Sequence, residues 1–257
     1  MDLGLSGRSV FISGGSKGIG LAIAEAFAAE NCNLHLAARN KADLEAARDT
    51  IRDRWQVNVT IHAADLSNGD VCRQLIDAIK PLDILVNNAG AIPGGDLLSI
   101  DEDRWRQAWD LKVYGFINLS RAAYADMKVR GRGVIVNVMG GAGERPDAAF
   151  IVGSTGNAGL MAFTRALGGR SLDDGLRVVG VNPGMVATGR MRTLMEARAE
   201  KTFGDKTRWQ EFVKNLPLGR GAEPREVANA VVFLASDASS YTSGTVLTID
   251  GGTTNRR

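Results

Sequence analysis

Seven short runs dominated by Val, Ile, Leu and Ala recur along the chain: RSVFIS at 8–13, NLHLAA at 33–38, VNVTIHA at 57–63, DILVN at 83–87, GVIVNV at 133–138, RVVGVN at 177–182 and TVLTID at 245–250. Runs that are apolar almost throughout belong to strands buried on both faces, and such strands occur in parallel sheets covered by helices. The segments between them supply those helices. LAIAEAFAAE at 21–30, ADLEAARDTIRDRW at 42–55 and VCRQLIDAI at 71–79 place apolar residues three and four apart, as amphipathic crossover helices require. The alternation predicts an α/β fold of the Rossmann type, a doubly wound, parallel, seven-stranded sheet with helices on both faces.

No Gly- or Pro-rich stretch divides the 257 residues, and 44% of them are hydrophobic, enough for one sizeable core. Residues 1–257 are therefore expected to form a single domain. The one long departure from the alternation, about 188–219, is a charged helical segment after the sixth strand. It is expected to cover the carboxyl ends of the strands, where this architecture binds ligands. Lys and Arg total 31 against 29 Asp and Glu, so there is no basic field to attract nucleic acid. No apolar run reaches the length of a membrane span. A small-molecule partner is expected, with neither nucleic acid nor membrane. Cys32 and Cys72 have neither metal-ligand nor disulfide-framework spacing, and the first residues do not read as a leader, so a reducing, cytoplasmic location is expected.

Directly after the first apolar run, Ser13-Gly14-Gly15-Ser16-Lys17-Gly18-Ile19-Gly20 opens into a helix. Gly14 permits a tight turn, Gly18 a close approach of backbone to a pyrophosphate, and Gly20 close packing of helix on strand. The helix N-terminus then faces the phosphates. The second run ends in Ala37-Ala38-Arg39-Asn40, without the acid that would bind a ribose 2′-hydroxyl and repel a 2′-phosphate. Arg39 can pair with phosphate bidentately and Lys17 offers a second cation, so NADP(H) is expected over NAD(H).

This spacing resembles the short-chain dehydrogenase/reductase family, whose loop reads TGxxxGIG; Ser13 stands for the Thr. The resemblance covers about 7–252. Asp65-Leu66 resembles the family's adenine contact, and Asn87-Asn88-Ala89-Gly90 its NNAG motif, where backbone lies against the cofactor. Pro183-Gly184 with Thr188 resembles the segment holding the nicotinamide carboxamide. Gly219-Arg220, the helix from Pro224 and Asp250-Gly251-Gly252 match the closing pattern. The resemblance implies an NADP(H)-binding oxidoreductase of a small organic carbonyl or alcohol. It also implies a homotetramer or homodimer built on long helices at about 101–129 and 150–171, with the last helix and strand as another interface.

The family's chemistry uses Tyr as proton donor and acceptor, Lys to lower its pKa, Ser on the substrate oxygen and Asn to organise a water relay. With Thr164 fixing the register, Gly153 takes the Tyr position, Asn157 the Lys position and Gly140 the Ser position. In Asp110-Leu111-Lys112-Val113-Tyr114-Gly115, Lys112 takes the Asn position. Tyr124 and Lys128 are expected to form an ordinary i, i+4 surface pair. Three readings stay open. In the first, hydride transfer persists, with Lys112 as an acid of lowered pKa and Asn157 bonding the nicotinamide ribose; alternatively Lys112 snorkels or pairs with Asp110 or Asp147. In the second, the site runs a non-redox or less demanding reaction, Arg145 holding a carboxylate and Glu144 or Asp147 acting as base; alternatively these charges are solvated. In the third, the protein binds nucleotide without turnover, as a sensor or partner subunit. Ser154 and Thr155 are expected to start a helix, and Tyr114 to face away from Lys112. The cations of 190–214 either form a solvated face or meet an anionic substrate. His35 and His62 are expected in the core, and no metal site is expected.

Overall fold

The computed structural model describes residues 2–256. Its strands are β1 (Ser9–Ser13), β2 (Asn33–Ala38), β3 (Val59–Ala63), β4 (Ile84–Asn87), β5 (Gly133–Val138), β6 (Leu176–Pro183) and β7 (Val246–Ile249). They form one parallel sheet in the order β3-β2-β1-β4-β5-β6-β7. Each strand lies within about two residues of a sequence run. Burial on both faces is visible along β1, where Val10 and Ile12 enter one core with Ile23, Phe27 and Val231, while Phe11 enters the other with Leu85, Leu119 and Ile135. The two cores are the two helical layers expected of a doubly wound sheet.

Helices α1 (Gly18–Ala29), α2 (Lys41–Arg52) and α3 (Gly69–Ala78) fill the first three crossovers. Asn40 caps α2 through the Asp43 N–H, and Asn68 caps α3 through Asp70 and Val71, each satisfying donors that a helix start leaves open. The long helix expected at 101–129 is instead α4 (Glu102–Trp109), a π-helical turn (Asp110–Tyr114) and α5 (Gly115–Arg130). Just after this turn Gly115 sits against the Leu66 carbonyl, where a Cβ would come within 2.9 Å of the oxygen, and within the turn Lys112 is buried. Helix α6 (Ile151–Ser171) follows as expected.

After β6 come α7 (Gly189–Phe203), α8 (Gln210–Lys214) and α9 (Pro224–Ala235). Several cations of this region stack on aromatic rings, Arg198 over Phe212 at 4.5 Å and Arg208 over Phe203 at 4.0 Å, a geometry that favours a cation on a ring face. Tyr124 and Lys128 do not pair with each other; both converge on Asp174, at 2.7 and 3.0 Å, and burial beside that carboxylate pushes the Tyr124 hydroxyl up to about 12. His35 and His62 stack, half-buried, with 3.2 Å between Nδ1 and Nε2. Cys32 and Cys72 are free and buried, and burial pushes their thiols up to about 12 and about 11. No described helix is long and apolar enough to cross a membrane.

The buried Arg177 joins β6 to α9. Its guanidinium donates to the carbonyls of Leu234 at 2.6 Å, Ala235 at 3.2 Å and Ser236 at 2.9 Å, ending α9 where its last carbonyls have no helical partner. Arg177→Met should destabilise the fold by about 3 kcal/mol, since several buried acceptors lose a charged donor at once. Urea unfolding measures this, and a loss below about 1 kcal/mol would show that those carbonyls reach water instead.

Candidate active site

At the end of β1 the Ser13 hydroxyl accepts the N–H groups of Asn88 at 2.8 Å and Ala89 at 3.0 Å. Asn88 returns its side-chain amide to the carbonyls of Ser13 at 3.1 Å and Gly14 at 3.3 Å. The glycine loop and the NNAG loop are thus bolted together at the point where the strand order diverges. Gly14 and Gly18 have φ of +69° and +56°, in the region that favours glycine. A Cβ on Gly20 would lie 2.0 Å from the Gly14 carbonyl oxygen, so helix packs directly on loop. Unlike α2 and α3, α1 begins at Lys17 with no side-chain cap. The first-turn N–H groups at Gly18, Ile19 and Gly20 are therefore left for an anion, with Ser16 beside them in the turn.

Arg39 is exposed at the end of β2 and lines a cavity of about 670 Å³ that runs past Asp65 and Ser67 to Ile92 and Arg190. Asp65 accepts the Ser67 N–H and hydroxyl, which hold its carboxyl below the usual range, while Leu66 is buried. Lys17 reaches the same end of the cleft, but its ammonium is paired with Asp43 at 2.8 Å. Gly184 donates to the Ile249 carbonyl at 2.9 Å, and a Cβ there would meet Asp250 at 2.7 Å, so the Pro183-Gly184 turn is held against β7. Thr188 caps α7 through the Met191 N–H, and its methyl faces Gly18.

Gly140, Gly153, Asn157 and Lys112 gather on the other wall, at the carboxyl ends of β4 and β5. A Cβ on Gly153 would lie 1.9 Å from Cε1 of Phe150: the Phe150 ring fills the path that a side chain at 153 would take. A Cβ on Gly140 would lie 2.9 Å from the Asn157 Nδ2, and the Asn157 Oδ1 is buried without a partner. Lys112, 5% exposed, donates from Nζ to the Val138 carbonyl at 2.8 Å and sits 4.3 Å over the Phe116 ring. Its aliphatic chain lies against Gly90. It pairs with neither Asp110, which is exposed, nor Asp147, whose carboxylate accepts the Ala149 N–H. Burial, and then the nearby Arg190, push the Lys112 ammonium down to about 7.

The remaining candidates lie apart from this wall. Glu144 accepts the Thr248 hydroxyl at 2.6 Å and Arg145 donates to the Thr253 carbonyl at 3.0 Å, so both exposed residues lean on the C-terminal segment. Ser154 exchanges hydrogen bonds with the Asp147 backbone, and Thr155 bonds back to Ile151, as residues starting α6 would. Tyr114 is half-exposed. Among the described residues no His, Cys, Asp and Glu cluster could hold a metal. Sequence reasoning missed Phe150, whose signal is its place one helical turn before Gly153, and the particular position of Arg190 among the cations of α7.

The uncapped helix, the glycine turns and the braced loops at the strand ends define a dinucleotide-binding α/β protein. A family model described as enoyl-(acyl carrier protein) reductase matches residues 14–254. The galactitol 2-dehydrogenase (L-tagatose-forming) of Cereibacter sphaeroides is 36% identical over 253 residues, covering 97% of this chain and 96% of that one. The 3-oxoacyl-[acyl-carrier-protein] reductase of Chlamydia trachomatis is 29% identical over 252 residues, covering 96% of this chain and 98% of its own. L-sorbose reductase from Gluconobacter frateurii, solved with NADPH and L-sorbose, superposes over 100% of both chains with a TM-score of 0.92 at 30% identity. The chain belongs to the short-chain dehydrogenase/reductase family of NAD(P)-dependent oxidoreductases.

A buried, unpaired ammonium leaves a signature in stability. Lys112 titrates near 7 in the folded chain and at about 10.4 in the unfolded chain. Between these values the unfolded chain binds the extra proton, so stability rises with pH. The unfolding free energy of the wild type minus that of Lys112→Met should be flat below about pH 7, rise by on the order of 4 kcal/mol towards about pH 10 and then level. Denaturant unfolding across pH tests this; a flat difference would show that the ammonium keeps its ordinary basicity.

Proposed function

We propose that the chain is an NADP(H)-dependent oxidoreductase acting on a small organic carbonyl or alcohol, in which Lys112 supplies the proton that the family's tyrosine supplies elsewhere. The observation that carries this reading is Lys112 itself, a cation buried without a carboxylate at the strand ends of an otherwise intact dinucleotide cleft. The cleft fits the cofactor. Gly14, Gly18 and the uncapped start of α1 would hold the pyrophosphate, and Asp65 and Leu66 the adenine. Arg39 would pair with the 2′-phosphate, with Lys17 beside it and partly offset by Asp43. Asn88, Ala89 and Gly90 would present backbone to the ribose, and Pro183, Gly184 and Thr188 would hold the carboxamide. Bound NADP(H) supplies or accepts the hydride.

Lys112 gives a proton to the carbonyl oxygen during reduction and takes one from the alcohol during oxidation. Its titration near neutrality suits both directions. The Asn157 Oδ1, without a partner among the described residues, would accept from a nicotinamide ribose hydroxyl. Gly140 and Gly153 leave no hydroxyl on the wall, so Phe150 presents an apolar flank to the substrate. Segment 188–219 covers the strand ends. The L-sorbose reductase and galactitol 2-dehydrogenase relatives support a small carbonyl or alcohol as the substrate class. Glu144 and Arg145 are engaged with the C-terminal segment, which gives a non-redox reaction through them no support. The family resemblance adds a homodimer or homotetramer through the helices of 101–129 and 150–171, with α9 and β7 as another interface, and the two free cysteines agree with a cytoplasmic setting.

Fluorescence titration with NADPH and NADH, with and without Arg39→Ala, tests the cofactor. The variant should weaken NADPH roughly 10- to 100-fold, the worth of a charge-assisted pair, and leave NADH unchanged. Carbonyl reduction followed by NADPH absorbance should fall by about 10² to 10⁴ in kcat for Lys112→Met. Full activity in that variant would remove Lys112 from the chemistry. Tight NADPH binding with no turnover across carbonyls, enones and alcohols would replace this reading with that of a nucleotide-binding sensor.

A further inference from the structure

Arg190, in the first turn of α7, crosses the cleft. Its Nη1 donates to the Gly90 carbonyl at 3.2 Å and its Nη2 to the Ile92 carbonyl at 2.5 Å. Two residues earlier the Thr188 methyl rests on Gly18. The start of the covering helix is thus fastened to the NNAG loop and touches the glycine loop. The fork geometry is specific to arginine, since a lysine has no planar pair of donors to span two carbonyls.

Gly90 is shared. While its carbonyl takes Arg190, its α-carbon lies against Lys112, a Cβ there falling 2.9 Å from Cδ and 3.6 Å from Nζ. The elements packed around the ammonium present few charges. The loop after β4 offers Gly90, β5 the Val138 carbonyl and α5 the Phe116 ring, while the π turn's own Asp110 is exposed. Arg190, bonded to the Gly90 carbonyl, is held across that glycine from Lys112, and like charge disfavours the protonated amine.

We propose that Arg190 is a latch: docked on the Gly90 and Ile92 carbonyls, it closes α7 over the cleft and sets the protonation of Lys112 across the same glycine. With the latch docked, Lys112 gives up its proton readily. With α7 lifted, the guanidinium withdraws and Lys112 regains a proton from water, so one proton enters from solvent for each one delivered to the substrate oxygen. Arg190 acts as a positioning residue through Lys112, and its catalytic consequence rests on the oxidoreductase reading above. The latch itself does not.

The test is NMR of the full chain carrying ¹³C-lysine, without cofactor. The Lys112 Cε resonance, identified by its loss in Lys112→Met, is titrated in wild type, Arg190→Met and Arg190→Lys. Amide exchange across 189–203 is followed in the same proteins. Arg190→Met should move the Lys112 midpoint up by about half a pH unit or more, the sign expected when a like charge leaves, and speed exchange in the first turns of α7. Arg190→Lys, which keeps the charge and loses the fork, should speed exchange while moving the midpoint less. A Lys112 midpoint unchanged in Arg190→Met, or α7 exchange unchanged in both variants, overturns the latch. Where a carbonyl is turned over, the alkaline fall of kcat should shift upward with the midpoint in Arg190→Met. A shifted midpoint with no turnover on any carbonyl keeps the latch and overturns only the oxidoreductase reading.

Discussion

One hydroxyl holds the two halves of the cleft in register. Where β1 pairs with β2 on one side and β4 on the other, the chain leaves the sheet in opposite directions, and the backbone donors just beyond the strands lose their ladder partners. Ser13 accepts two of these donors from the β4 side, and Asn88 answers with two bonds to the β1 side. Leaving such buried groups unpaired costs about 1–3 kcal/mol each, so the two loops are held together by the same bonds that end the strands. The glycine turn, the α1 N-terminus and the NNAG backbone inherit their spacing from this bracing. The crevice therefore owes its shape to the sheet, before any ligand contributes.

The other wall departs from that economy. Behind it, Asn87 donates to Ser120 and Asn137, and Asn137 donates to Thr164, a buried network tying β4 and β5 to α5 and α6. In front of it, Lys112 has a single hydrogen-bond acceptor and no counter-ion, and the Asn157 Oδ1 has no partner. Burying a cation unpaired is expensive, and a hydrophobic replacement commonly stabilises. The cation face of Phe116 offsets part of that cost. Unmet polar demand placed at the strand ends of a ligand-binding fold is what a site awaiting ribose and substrate oxygens requires.

What could be read from the sequence followed from how local each cause is. The strands were legible because burial on both faces leaves unbroken apolar runs, and the glycine loop because its turn demands glycine at Gly14, Gly18 and Gly20. The break at Asp110–Tyr114 was not, because 101–129 keeps one helical pattern across it. The Lys17–Asp43 pair and the convergence of Tyr124 and Lys128 on Asp174 likewise depend on which loops the fold brings together. The absence of side chains at Gly140 and Gly153 was visible in the sequence. Phe150 turning into the space at 153 was not, since it depends on a ring's rotamer. Arg190 stood out only as one cation among many until α7 was placed over Gly90.

The family pattern puts an Asn on the helix after β4 and a Lys on the helix after β5; this chain puts Lys112 on the first and Asn157 on the second. The amide and the ammonium have changed sides while the cleft between them remains. A lysine on α6 would extend beneath the cofactor ribose and spend its charge there. Lys112 approaches from the π turn, between Gly90 and the Val138 carbonyl, so burial there, rather than the ribose, acts first on its charge. On the reading proposed above, cofactor affinity would depend more on Arg39 and the α1 N-terminus, and proton supply on whether α7 is seated. In the family arrangement one lysine serves both tasks. On the same reading, exchanging the pair would separate them and place the acid where closure of the cleft could govern it.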